Sequence, residues 1–110
     1  MKRFIDLAEL DTVAVRDLVM LATRLEQSPR PTALTGKVLG LLFMNPSLRT
    51  LASFQAGMAR LGGSSFVITP GAGTWNLETK LGAVMNADRA EHIREGIPVL
   101  ASYSDVLGVR

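Results

Sequence analysis

Asn45, Pro46, Ser47, Arg49 and Thr50 crowd into the eight residues FMNPSLRT, 43 to 50, with an apolar run behind them and an apolar helical pattern ahead. A helix that starts here leaves its first backbone N–H groups without intrahelical partners, and its macrodipole favours an anion at that end. With Ser47 as N-cap, the amides of Leu48, Arg49 and Thr50 form a cradle. The Arg49 guanidinium can take phosphate oxygens in pairs, and the Thr50 hydroxyl adds a donor. The chemistry on offer is capture of a small phosphorylated or carboxylated molecule. The same residues also serve as plain turn and cap residues beside a solvated arginine, and their types alone leave both readings open.

The elements on either side must hold that junction in place. Val38 to Phe43 reads as a buried strand, within a strand expected at 37 to 43. From Leu48 to Leu61, the residues Leu51, Phe54, Met58 and Leu61 line one helical face, and Gly62-Gly63 ends the helix. In an open α/β sheet such a strand-to-helix turn is where ligands bind.

The rest of the chain follows the same grammar. Residues 11 to 26 predict an amphipathic helix capped by Asp11, and SPRPTALTG, 28 to 36, is a connector. A strand SSFVIT is expected at 64 to 69. The loop PGAGTWNLE, 70 to 78, holds the only Trp, Trp75. A third helix is expected after Asp88, because Asp88 and Glu91 have capping-box spacing, with Gly96 and Pro98 kinking or shortening it. DVLGVR closes the chain as a strand ending at Arg110. Helix and strand alternate, so the expected fold is α/β, a parallel sheet covered by helices in one domain spanning 1 to 110.

Composition narrows the function classes. The chain is 47% hydrophobic and 20% charged, the balance of a packed globular protein. The formal charge of +2 is spread along the sequence without a basic block, which argues against a nucleic-acid surface. No apolar run approaches the roughly 20 residues of a membrane helix, and MKRFIDLAEL has no signal-peptide core, so the cytoplasm is the expected compartment. Without Cys there is neither a thiolate site nor a cysteine nucleophile, and the single His92 cannot build a zinc site. Neither G-x-x-x-x-G-K-[ST] nor G-x-G-x-x-G is present, so neither familiar nucleotide loop is supported. His92, Glu78 and Lys80 read as solvated surface residues.

S-L-R-T between a strand and a helix ending in LGG resembles the S-x-R-T-R carbamoyl-phosphate signature of the aspartate and ornithine carbamoyltransferase family. FMNPSLRT, SFQAGMARLGG, the PG loop with Trp75, LETKLGAVMNAD, EHI and DVLGVR, about residues 43 to 110, resemble the N-acetylornithine and N-succinylornithine members more than the ordinary ornithine enzymes. The resemblance implies transfer of a carbamoyl group from carbamoyl phosphate to the side-chain amine of an N-acyl-ornithine, in arginine biosynthesis, without metal or cofactor. It implies that Ser47, Leu48 through its amide, Arg49, Thr50 and Arg110 bind carbamoyl phosphate, with Arg49 and Arg110 acting in catalysis. By the same resemblance Trp75 reaches the active site of a neighbouring subunit in a homotrimer. The partners are then small-molecule substrates, not nucleic acid or membrane.

Two positions depart from the family pattern. Leu51 stands where S-x-R-T-R ends in Arg, which extends the apolar stripe and removes a charge. At Ala90, acetyl-type members resemble Glu and succinyl-type members Pro; a Glu would repel a succinyl carboxylate and Ala90 would not, which favours N-succinylornithine. The family's His-Pro-x-Gln segment and acceptor-binding domain do not occur in these residues, so a truncated carbamoyl-phosphate-binding part is expected. The alternative is a non-catalytic anion-binding module or a decayed remnant of the same fold.

Overall fold

In the computed structural model, which describes residues 5–86 and 89–110, the chain divides into two compact units, Met1–Arg30 and Pro31–Arg110. In the first, the side chain of Asp11 accepts the Ala14 N–H at 2.7 Å and starts helix α1, Thr12–Gln27. This is the capped amphipathic helix that the spacing predicts. Arg24 in its last turn suits the negative end of the dipole.

The second unit is built on a three-stranded parallel sheet. Its strands are β1, Val38–Leu42, β2, Ser64–Ile68, and β5, Val106–Val109, in the spatial order β2-β1-β5. Gly40 of β1 pairs with Phe66 on one side and Leu107 on the other. Because side chains alternate across a strand, Leu39, Leu41 and Phe43 share one face and Gly40 and Leu42 the other. A Cβ on Gly40 would lie 2.7 Å from the Phe66 ring and 2.9 Å from a Leu107 methyl, so only glycine lets those side chains close over the central strand.

Helix α2, Leu48–Arg60, is the crossover from β1 to β2. Its Leu51 and Met58 pack against the cluster Leu39, Leu41 and Phe43. Phe54, expected on the same stripe, remains 49% exposed. The helix ends in a Schellman motif: Gly63 N–H donates to the Met58 carbonyl at 2.9 Å, Gly62 N–H donates to that of Ala59 at 3.2 Å, and Gly62 takes φ 80°. The paired glycines therefore stop the helix for a backbone reason.

Between β2 and β5 the chain forms two further two-residue strands, β3, Leu77–Glu78, and β4, Glu91–His92, paired in parallel, and helix α3, Ile93–Ser102. The expected helix start after Asp88 is corrected here. Asp88 lies outside the described residues, Glu91 is committed to the strand pair with Leu77, and the helix begins only at Ile93, with His92 as its N-cap. It continues past Pro98 to Ser102. Gly96, Val99 and Leu100 line a small cavity together with Ile68, whose register partner is Leu42, so α3 covers the face opposite α2. The expected parallel sheet covered by helices is what forms.

Asp105 clips the lower ends of β1 and β5 together. Its carboxylate accepts from Lys37 Nζ at 2.7 Å and from the Val38 N–H at 2.8 Å, and its own N–H donates to the Val38 carbonyl at 2.9 Å. The Lys37 hydrogen bond, then the Val38 amide, hold the carboxyl below the usual aspartate range. A carboxyl lowered in the folded state stabilises above its unfolded value, and that contribution disappears as pH falls through the folded value. Asp105→Asn should therefore lower the urea midpoint at neutral pH, and its difference from the parent should shrink on acidification below the usual aspartate range. A difference that stays constant down to strong acid would remove the carboxylate from this role.

Candidate functional site

The chain leaves β1 at Leu42, crosses to β2 on one side, and later returns to place β5 on the other. The carboxyl end of β1 is thus the point where the strand order reverses, the position at which open α/β sheets form a ligand crevice. Residues 43–50 sit at that end.

Backbone hydrogen bonds fasten the junction to both neighbours. Phe43 N–H donates to the Ile68 carbonyl at 2.9 Å, and Arg110 N–H donates to that of Leu42 at 2.9 Å. The Arg110 carbonyl in turn accepts from Met44 N–H at 2.6 Å and from Asn45 N–H at 3.3 Å. Arg110, 60 or so positions away along the chain, is therefore anchored beside the residues that lead into Ser47.

Ser47 occupies the N-cap of α2 with φ −154° and ψ 119°, but its side chain makes no capping hydrogen bond. The position matches the expectation; the hydroxyl is not consumed by the helix. Leu48 is 85% exposed, Arg49 is exposed, and Ser47 and Thr50 are half-buried. No acidic residue lies in the first turn of α2. An anion approaching this end meets amides, hydroxyls and a guanidinium without a competing carboxylate in that turn.

An apolar cavity of about 610 Å³ lies elsewhere, between α2 and the strand starts. It is lined by Phe54, Met58, Leu39 and Val106 among others, and shares no residue with the junction. Its walls are mostly hydrocarbon, and the one cation among the described residues that line it, Lys37, is already paired with Asp105, so it suits apolar groups better than a phosphate.

Trp75 is 70% exposed. The loop that carries it is held by its own backbone: Ala72 N–H donates to the Thr69 carbonyl at 3.0 Å, Gly71 N–H to that of Trp75 at 3.3 Å, and Gly71 and Gly73 take φ near 80°. Most of the Trp faces solvent, and the remainder lines the rim of the small cavity beside Ile68, Val99 and Leu100. Trp75→Ala should accordingly change stability by less than about 0.5 kcal/mol in thermal unfolding. A loss of about 3 kcal/mol or more would mean a buried anchor.

His92 corrects the sequence reading most clearly. Expected on a surface, it is 8% exposed, because its ring caps α3 and reaches the Lys80 carbonyl. Glu78 is also committed: it accepts the Lys80 N–H at 2.7 Å and pairs with Arg89 at 3.2 Å, and the Lys80 amide first of all lowers its pKa. Ala90 is exposed between Arg89 and Glu91. Nothing in the sequence marked the Glu78–Arg89 pair, since two-residue strands leave no periodic pattern. Among the described residues, no group of three or more His, Cys, Asp or Glu could hold a metal ion, and no helix is long and apolar enough to cross a membrane.

An open parallel sheet with a helix N-terminus free of carboxylates in its first turn at the switch point is the plan of an α/β ligand-binding domain, and comparison with known proteins gives it a family. Residues 2–110 match the family model described as "Aspartate/ornithine carbamoyltransferase, carbamoyl-P binding domain". An N-acetylornithine carbamoyltransferase of Xanthomonas campestris pv. campestris is 37% identical over 110 residues, 100% of this chain and 32% of that protein. An N-succinylornithine carbamoyltransferase of Bacteroides thetaiotaomicron is 43% identical over 74 residues, 67% of this chain and 23% of that protein. A crystal structure of a glutamate-to-alanine variant of N-acetyl-L-ornithine transcarbamylase, complexed with carbamyl phosphate and N-succinyl-L-norvaline, superposes with TM-score 0.76 at 38% identity, over 100% of this chain and 33% of that one. The chain belongs to the aspartate/ornithine carbamoyltransferase family, in its carbamoyl-phosphate-binding domain. It spans about a third of the length of the N-acetylornithine relative it matches throughout.

Proposed function

We propose that this chain supplies the carbamoyl-phosphate site of an N-acyl-ornithine carbamoyltransferase of arginine biosynthesis. The observation that carries the reading is the stitching of Arg110 to Leu42, Met44 and Asn45 beside the open N-terminus of α2. Ser47, the Leu48 amide, Arg49 and Thr50 hold the phosphate, and Arg110 serves the carbonyl side. The acceptor's side-chain amine attacks the carbonyl carbon. A C–N bond forms, the C–O bond to phosphate breaks, and the departing phosphate takes the proton that the amine gives up. Arg49 and Arg110 stabilise the charge gathering on phosphate and carbonyl oxygens, so the work is positioning and electrostatics.

The acceptor reading favours N-succinylornithine. Ala90 carries no charge to repel a second carboxylate, and a relative with one glutamate replaced by alanine is complexed with N-succinyl-L-norvaline, which supports it. The outward Trp75 supports a homotrimer in which this loop enters the neighbour's site. The cytoplasm is the compartment we assign.

Carbamoyl phosphate should raise the melting temperature of the chain, and inorganic phosphate should compete, because a ligand that binds only the folded state stabilises it. No rise with either would overturn the reading. A second reading, a non-catalytic anion-binding module or decayed remnant, draws on Leu51, which spends its side chain on the core instead of offering a charge. Saturable binding of carbamoyl phosphate without transfer to either N-acyl-ornithine, in an assembly that includes the acceptor-binding part, would favour that module.

A further inference from the structure

The loop 79–90 joins β3 to β4 and carries Ala90 at its far end. Its described residues are little held by burial: Leu81 is 67% and Val84 74% exposed, and Met85 also faces solvent. Its placement must come from polar ties at its base.

Two such ties close it. The Glu78 carboxylate takes the Lys80 N–H and pairs with Arg89 from the opposite end of the loop. The buried ring of His92 supplies the other, with Nδ1 3.1 Å from the Arg94 N–H and Nε2 3.1 Å from the Lys80 carbonyl oxygen. An amide N–H can meet Nδ1 only if that nitrogen keeps its lone pair, and a carbonyl oxygen can meet Nε2 only if that nitrogen bears the proton. Of the three imidazole forms, only the neutral Nε2–H tautomer satisfies both contacts. A cationic ring would set a proton against the Arg94 N–H and a positive charge at the start of α3, where the dipole opposes it.

We infer that His92, as the neutral Nε2–H tautomer, is a positioning residue for the acceptor side of the site, tying the loop 79–90 and its Ala90 to the start of α3. The link to the acceptor rests on the carbamoyltransferase reading; the tie itself does not. Among the described residues, the charged groups on the elements that meet at the ring are Glu78 on β3 with its partner Arg89, Glu91 on β4, Lys80 in the loop, and Arg94 and Glu95 in the first turn of α3.

The test uses the full chain without ligand. Long-range ¹H–¹⁵N NMR on the unmodified protein should show the His92 proton on Nε2; a ring protonated on Nδ1, or averaged between the two nitrogens, overturns the inference. His92→Asn separates the two duties, because Asn caps a helix well but is too short to reach Lys80. Amide exchange at Lys80, Ala83 and Arg89 should then quicken about five- to tenfold, the size expected for one lost hydrogen bond, and the Ala90 methyl signal should shift. Exchange within α3 should stay as it was. Unchanged rates at the three loop amides and an unmoved Ala90 methyl would sink the tie. A chain that ignores carbamoyl phosphate would instead remove the reading above and leave these spectra as expected, so the two failures are distinct.

Discussion

Leu42→Ala should cost about 2 to 5 kcal/mol and lower the melting temperature by about 10 to 20 °C. Leu42 is 0% exposed at the carboxyl end of the central strand, between Ile68 of β2 and Val109 of β5. Truncation removes buried hydrocarbon and leaves a cavity that the paired strands cannot collapse to fill. For a domain of ordinary stability, about 5 to 15 kcal/mol, this is a large share. Urea unfolding followed by circular dichroism measures it, with Val109→Ala, at a 58% exposed position, as the surface comparison. A midpoint shift no larger than that of Val109→Ala would mean that β1 is not the keystone of the sheet. Because the Leu42 carbonyl accepts the Arg110 N–H, the variant should also weaken any anion bound at the junction.

Arg49→Ala should act in the opposite place, on affinity and not on stability. Loss of a charge-assisted contact to phosphate is worth about 1.5 to 3 kcal/mol, or about 10- to 150-fold in Kd for carbamoyl phosphate. Arg49 is exposed, so the ligand-free melting temperature should stay within the range of a surface change. Calorimetric titration of parent and variant decides the matter: equal dissociation constants would take Arg49 out of the site. The pairing of a stability variant that loses affinity with an affinity variant that keeps stability separates the scaffold from the cradle it carries.

Much of the scaffold could be read from the residues because its elements are long enough to show their period. α1 with its Asp11 cap, β1, the Leu51–Met58 face of α2, the Gly62-Gly63 stop and the order of parallel strands all left a pattern in the sequence. The junction at Ser47 was legible as a position, since a polar cluster between an apolar strand and an apolar helical face has few other uses. Its hydroxyl was not, because a cap residue and a capping rotamer are different facts. The segment from 77 to 93 was misread for a physical reason. Two-residue strands carry no alternation, and Glu91 followed by an apolar helix resembles a capping box until a strand partner claims it. A lone histidine gives no sign of burial either. The partners that bury His92, the Lys80 carbonyl and the Arg94 amide, are backbone groups that every residue type shares.

The placement of β1 between β2 and β5 also sets an order of assembly. β1 and its first partner, β2, are neighbours across one helix, whereas Asp105 and Val38, which meet at the other edge, are separated by 67 positions. Local pairings close cheaply and distant ones late. As the chain emerges during synthesis, β1, α2 and β2 can dock while one whole edge of β1 still faces solvent, a surface prone to mispairing until β5 arrives. β5 also carries Arg110, so the pairing that covers that vulnerable edge is the same pairing that fastens Arg110 beside the residues leading into Ser47.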